Sequence, residues 1–324
     1  MPGITGMGST FDLPNYVGDL FAISPEETPL LSAIGGLTGG REASDTEFGW
    51  QFYDLRDPDD DRQRLEGADA PNPQERKRQT ATNVVEIHQE AVSVSYTRQS
   101  VNAFGTSLRG TTPVADELRW QIDQKLKEVA RDVEASFITG TYAKPSDNAS
   151  PRKTRGLLEA IVTNVKDMAG GTPTVTDIED LFQTGYQNGG FTEESTRVLI
   201  CGPALRRLLT KMFVTDPGLA PLSATVGGAK VDVIQTNFGR AGVMLDRNVP
   251  VGTLIAASLE QLAPRFLTVP GKGHFFTEPL AKTGSRDEVQ LYGEIGLEYG
   301  NERTHAKLVD ATTPYDAIGV GSGS

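Results

Sequence analysis

Three histidines, one cysteine and 43 acidic side chains are the groups with chemical reach here, and their spacing decides what they can do. His88, His274 and His305 fall in separate segments with no His-x-x-x-His pair, so no tetrahedral zinc set is assembled. Each reads as a packing or surface residue. Cys201 follows Val198-Leu199-Ile200 and precedes Gly202-Pro203, the setting of a buried structural thiol. A nucleophile would need an electropositive, exposed site with a base beside it. Asp57-Pro58-Asp59-Asp60-Asp61 gathers carboxylates without the spacing of a calcium loop, and reads as loop solvation or pairing between subunits. No Gly-x-x-x-x-Gly-Lys-Ser/Thr occurs. Gly35-Gly36-Leu37-Thr38-Gly39-Gly40 lacks the lysine and reads as a hinge, and Gly271-Lys272-Gly273-His274 as a turn between strands. These patterns assign no catalytic, cofactor-binding or metal-ligating residue, and the chain does not read as an enzyme.

The elements that carry these residues are more informative than the residues themselves. The chain has 324 residues, 37% of them hydrophobic and 23% charged, the balance of a folded globular protein. Thirty-five glycines and nineteen prolines imply many turns. No run approaches the roughly 18 apolar residues that span a bilayer, so no membrane partner is expected. Met1-Pro2-Gly3-Ile4-Thr5-Gly6 does not read as a signal peptide, and a single cysteine excludes an internal disulfide, which fits a reducing cytoplasm. A net charge of −12 argues against gripping nucleic acid as the main task. It suits a wall that lies beside nucleic acid and repels its phosphates.

Residues 1–45 are rich in Gly, Pro and Thr and read as an arm, with Ser24-Pro25-Glu26-Glu27 opening a short helix. Residues 46–98 read as a long hairpin. Phe48, Trp50 and Phe52 alternate on the outgoing strand; the return, 82–97, alternates through Val85 and Ile87, then Val92, Val94 and Tyr96. The change of phase predicts a bulge near Glu90-Ala91. Residues 54–80 between them are polar, with acids at 57–61 and bases at Arg76-Lys77-Arg78, as a loop that docks on a copy of itself requires. Residues 113–140 predict a rod of about 40 Å, with Thr111-Thr112 as caps and Pro113 in its first turn. Leu118, Ile122, Leu126, Val129, Val133 and Phe137 share one stripe of it. From 155 to 260 strands and helices alternate, with a capping box at Thr176–Glu179, and residues 261–316 return to strands that pack on the long helix. The tail, 317–324, is expected to be flexible.

Arm, hairpin, long helix, compact α/β unit and returning sheet, in that order, resemble the HK97-like fold of tailed-bacteriophage major capsid proteins. The local sequence adds to this: Leu13-Pro14-Asn15-Tyr16, Thr28-Pro29-Leu30-Leu31-Ser32-Ala33-Ile34, Leu55-Arg56-Asp57-Pro58, Glu66-Gly67-Ala68-Asp69-Ala70-Pro71 and Asn83-Val84-Val85 resemble subunits from phages of actinobacteria. The implied class is α+β: N-terminal arm (1–45), E-loop hairpin (46–98), spine helix and first part of the P-domain (99–154), A-domain (155–260), returning P-domain strands (261–316) and tail (317–324).

The resemblance implies a self-assembling subunit of hexamers and pentamers in an icosahedral virion capsid, built in the host cytoplasm around double-stranded DNA touched non-specifically. It implies a portal, in some members a decoration protein and, since no charged helical prefix precedes the arm, a separate scaffolding protein or none. Trp50, Phe52, Arg56, Arg76, Lys77 and Arg78 are the candidate inter-subunit contacts. Some members join an E-loop lysine to a P-domain asparagine with help from a glutamate; Lys77 and Asn301 are the matching pair, as a minor reading. The alternatives are an encapsulin-like nanocompartment shell, which shares the fold, and an unfamiliar α/β enzyme working through scattered carboxylates.

Overall fold

The computed structural model describes residues 27–53, 55, 62–70, 72, 75–104, 116–147, 149–193, 196–215, 222–226, 229–281 and 283–316. The expected helix start at Ser24-Pro25, the caps Thr111-Thr112 with Pro113, the acids 57–61, Arg56 and the tail 317–324 lie outside these residues. The described chain opens on a short helix, α1 (Pro29–Ile34), whose proline suits a first turn because no N–H is needed there. Its Leu30 and Leu31 are fully buried, and their amides donate to Glu134 Oε1 and Oε2 at 2.7 and 2.6 Å.

Strand β1 (Arg41–Ala43) leads into β2 (Glu47–Tyr53), which pairs antiparallel with β3 (Arg78–Val84) as an isolated two-stranded ribbon. The returning strand then breaks at Val85 and resumes as β4 (Glu86–Ser95) in a different sheet. No bulge interrupts Glu90-Ala91: β4 pairs without a gap from Glu86 to Ser95. The change of phase arises because Ile87 points outward, 50% exposed, while Glu86 and His88 take inward positions in the same register as Val92 and Val94. Helix α2 (Tyr96–Phe104) follows.

The long helix, α3, spans Glu117–Thr139 and is 23 residues, about 35 Å. Asp116 caps it by accepting from Arg119 N at 3.1 Å, and Glu117 favours the positive end of its dipole. It stops at Gly140, where a Cβ would meet Ser136 O at 2.3 Å and Thr154 O at 2.7 Å. The predicted stripe divides in two. Val129, Val133 and Phe137 are buried, whereas Leu118 and Ile122 are half-buried and Leu126 is exposed.

Helix α4 (Leu157–Ala160) and strand β5 (Val165–Asp167) lead to α5 (Val175–Gln187). Its capping box is formed by Thr174 with Asp177, two residues before the expected position, because Asp177 reaches back to Thr174 N at 2.8 Å. Next come β6 (Arg197–Cys201), α6 (Pro203–Thr210), β7 (Leu222–Val226), β8 (Ala229–Thr236), β9 (Gly239–Leu245), β10 (Leu254–Ser258), β11 (Ala263–Leu267), β12 (Phe275–Pro279), β13 (Arg286–Glu298) and β14 (Ala306–Val309).

A seven-stranded mixed sheet runs β5-β14-β10-β6-β9-β8-β7. Its middle strands, β6 and β10, are buried at every position, as a sheet covered on both faces demands. Val198, Ile200, Met244 and Ile255 face α3 and α1; Leu199, Cys201, Val243 and Leu254 face α5 and α6. Both sides of the 260/261 boundary contribute, since β14 returns to lie between β5 and β10. The five-stranded sheet runs β1-β11-β13-β12 with β4 on the other edge of β13, and its Phe266, Leu291, Ile295 and Leu297 complete the core under α3.

Candidate inter-subunit surface and its anchor

The ribbon is seated by two aromatics and one amide. Phe48 is buried and lies 6.0 Å from Trp50, whose ring meets Tyr299 edge-on at 4.8 Å. Trp50 Nε1 donates to Gly300 O at 2.6 Å. Phe48 fits only because β13 carries Gly296, where a Cβ would sit 2.7 Å from the Phe48 ring and 2.7 Å from Val84 O.

Asn83, fully buried, is the polar counterpart. Its Nδ2 donates to Leu297 O at 2.7 Å and Arg155 O at 3.1 Å, while Oδ1 accepts from Val84 N at 2.9 Å and Arg155 N at 2.8 Å. Next to it Glu86 accepts from Thr154 N at 3.1 Å, and Thr154 Oγ1 accepts from Leu297 N at 3.2 Å. The ribbon base, the chain after α3 and β13 are thereby locked at one point. The one signal in sequence for this hub is an amide between Thr82 and Val84 in a strand-like run.

Outward from the seat the ribbon turns to solvent. Trp50 is half-buried and held within its own subunit, as is the buried side of the outgoing strand. Phe52 is half-buried, Tyr53 and Leu55 are 67% and 71% exposed, and residues 62–70 are exposed throughout, with Leu65 at 86%. Arg76, Lys77 and Arg78 stand exposed on the returning side, Arg78 opposite Tyr53. The outer part of the ribbon therefore presents apolar and basic groups together.

The structure separates Lys77 from Asn301 within one subunit. Ala81 pairs with Trp50, whose indole touches Gly300; Lys77 lies four residues further out, about 13 Å along an extended chain. Asn301 Oδ1 accepts from Arg303 N at 3.2 Å, and the adjacent Glu302 accepts from Val162 N and Thr163 N, each at 3.1 Å, and from the Thr163 hydroxyl. Burial would raise the Glu302 carboxyl, but these Thr163 and Val162 hydrogen bonds outweigh it and lower its pKa.

The titratable groups weighed for chemistry are built into packing. Burial pushes the Cys201 thiol up to about 12. His305, wholly buried, accepts from Ser258 N through Nδ1 at 3.2 Å and donates from Nε2 to Tyr299 O at 2.9 Å, and burial holds its pKa down to about 4. His88 bonds Glu86 at 2.9 Å, and His274 stacks on Phe266 at 4.4 Å. Among the described residues, no group of three or more His, Cys, Asp or Glu side chains could hold a metal.

Comparison with known proteins gives this architecture relatives. The model of the SU10 major capsid protein family matches residues 3–312. The major capsid protein of Escherichia phage Phieco32 is 29% identical over 133 residues, 41% of this chain, and the match spans only 34% of that relative's own length. A chain of the cyanophage A-1(L) capsid asymmetric unit superposes with a TM-score of 0.68 at 14% identity, covering 95% of this chain and 99% of its own. A Mycobacterium phage Bobi structure gives 0.56 at 13% identity, covering 94% and 97%. The SrpI encapsulin complex of Synechococcus elongatus gives 0.57 at 13% identity, covering 93% and 92%. At such identities the likeness shows a shared HK97-like fold, common to capsids and to an encapsulin.

Proposed function

This chain belongs to the SU10 major capsid protein family, and from that premise we propose that its copies assemble into a closed icosahedral shell enclosing a phage genome. The family is one of structural shell proteins, so the expected role is architectural and not catalytic. Hexamers and pentamers are the repeating units, and each interface is modest because many neighbours act together. Residues 1–45 serve as the arm, 46–98 as the E-loop, 99–154 as the spine region, 155–260 as the A-domain and 261–316 as the returning P-domain, with 317–324 as tail. Portal, separate scaffolding and decoration proteins complete the particle in the host cytoplasm, and the acidic wall touches its DNA without sequence preference.

One observation carries the ribbon's role: an isolated two-stranded element, locked at its base by Asn83 and Trp50, exposes Tyr53, Leu55 and Leu65 beside Arg76, Lys77 and Arg78. A lone ribbon is marginal in water, so such a surface is retained for a neighbour to cover. Phe52, Arg76, Lys77, Arg78 and, beyond the described residues, Arg56 form the contact; Trp50 serves it from within by aiming the ribbon. Deleting residues 57–78 is expected to leave a folded subunit by circular dichroism that sediments as monomers or small oligomers. Particles of normal diameter in electron micrographs of that deletion would refute the assignment.

Non-covalent assembly is favoured over a Lys77–Asn301 bond, because the neighbouring Glu302 is committed to Val162 and Thr163 and not free to act as a base. Boiled particles should run as monomers in a denaturing gel; a ladder of multiples would reverse this. The nanocompartment reading is disfavoured by the family match, which names a phage capsid protein.

A further inference from the structure

Two acids meet where three parts of the chain converge. Glu134 of α3 and Asp246, just after β9, are 0% and 2% exposed. Both Glu134 oxygens already accept, from Leu30 N and Leu31 N of α1. Asp246 Oδ1 accepts from Asn248 N at 2.8 Å, and its backbone N–H donates to Cys201 O at 3.0 Å. Asp246 Oδ2 is buried and receives no N–H or O–H donor among the described residues, and the Asp246 carboxyl interacts directly with that of Glu134.

Two ionised carboxylates in contact inside a protein repel strongly, and an unpaired buried charge is expensive. A hydrogen bond between carboxyl groups needs a proton, and one proton satisfies the orphaned oxygen while removing one charge. We propose that Glu134 and Asp246 share a single proton, and that this proton fastens α1, with the entry of the N-terminal segment, onto the long helix and the seven-stranded sheet. The second negative charge is met by the two α1 amides and the Asn248 amide.

The surrounding charges leave the pair to itself. Ahead of α1, Glu27 pairs with Arg247 in the open, at 3.5 Å. Arg131 and Asp132 on α3 are exposed. On β11 Arg265 is engaged by Glu298, on β8 Asp232 is held by Arg206, and Glu260 after β10 meets Thr192. Burial, then the facing Asp246, pushes the Glu134 carboxyl up to about 9 against the pull of the Leu31 and Leu30 amides. Its folded pKa thus lies above the unfolded value of 4.5. The proton's contribution is complete below the unfolded value and is lost as pH rises through the folded one. This fastener is a property of the subunit's own packing and does not depend on how subunits assemble.

Hydrogen exchange of the full-length chain tests it, followed at the Leu30 and Leu31 amides and corrected for the intrinsic pH dependence of exchange. In the wild type, protection should fall progressively between about pH 5 and about pH 9, by up to about tenfold per pH unit, and level off above that. Asp246→Asn keeps the acceptor for Asn248 N and supplies an N–H toward Glu134, so its protection should stay flat over that range. Glu134→Gln loses one acceptor and should be less protected at every pH, with no step. Flat protection in the wild type, or an unchanged step in Asp246→Asn, would overturn the proposal. Should the variants not fold, carbon NMR of the wild-type side-chain carboxyls decides alone: a Glu or Asp still protonated near pH 7 is expected, and full ionisation would refute the shared proton.

Discussion

Truncating Asn83 to alanine is the sharpest way to ask whether the ribbon is held by one buried amide. The side chain makes four hydrogen bonds, to Leu297 O, Arg155 O, Arg155 N and Val84 N, and is 0% exposed. Each buried group left unpaired costs about 1–3 kcal/mol. Water entering the small hole recovers part of this, so a net loss of about 3–5 kcal/mol is expected for Asn83→Ala. For a chain this size that is a fall in Tm of roughly 6 °C. Urea unfolding of the soluble full-length subunit measures it, with an unchanged m-value identifying the loss as one of stability. Asn83→Asp is the companion: it keeps the shape and the acceptor, but sets a carboxylate oxygen against two carbonyls, and should be at least as damaging. A loss below about 1 kcal/mol for the alanine variant, or a harmless aspartate, would refute the hub.

Gly296→Ala should loosen the ribbon by about 1–3 kcal/mol, because the new methyl meets the Phe48 ring and the immovable Val84 carbonyl; faster proteolysis at residues 62–70 would report it, and wild-type cleavage rates would contradict it. His305 is held neutral with a pKa of about 4 against 6.5 unfolded, so stability present above the unfolded value should be lost as pH falls between these two, by up to about 3 kcal/mol. His305→Gln should show a shallower loss in urea midpoints over that range. Cys201, its thiol pushed up to about 12 by burial, should resist maleimide in the native subunit and react fully in urea, as mass spectrometry would record.

Much of the architecture was legible because it rests on periodicities that local chemistry enforces. The alternation of Phe48, Trp50 and Phe52, the stripe along 118–137 and the unbroken apolar run Val198–Cys201 each announced an element, and each forms. The order of those elements carried the family resemblance, and with it the shell reading. Errors came where tertiary contacts outvote the local pattern. Ile87 points outward because β4 must hold the register that buries Val92 and Val94, so a bulge expected from phase is absent. The partner of the Trp50 indole, Gly300, lies 250 residues away and is likewise set by tertiary contact alone.

The class of the protein could be read before folding, since element order and the short runs that carry the family resemblance depend only on nearest neighbours and chain order. Which polar groups matter emerges only on folding. Asn83, Glu134 and Asp246 look like any other amide and acids in a chain with 43 acidic residues. Their importance comes from lost water: each is buried, and a buried polar group must find its partner from whatever distant segment the fold delivers. Asn83 finds Leu297, and Glu134 finds Leu30 and Leu31, across 214, 104 and 103 residues of chain. No local pattern encodes separations of that length, because they exist only once both sheets have closed around the long helix.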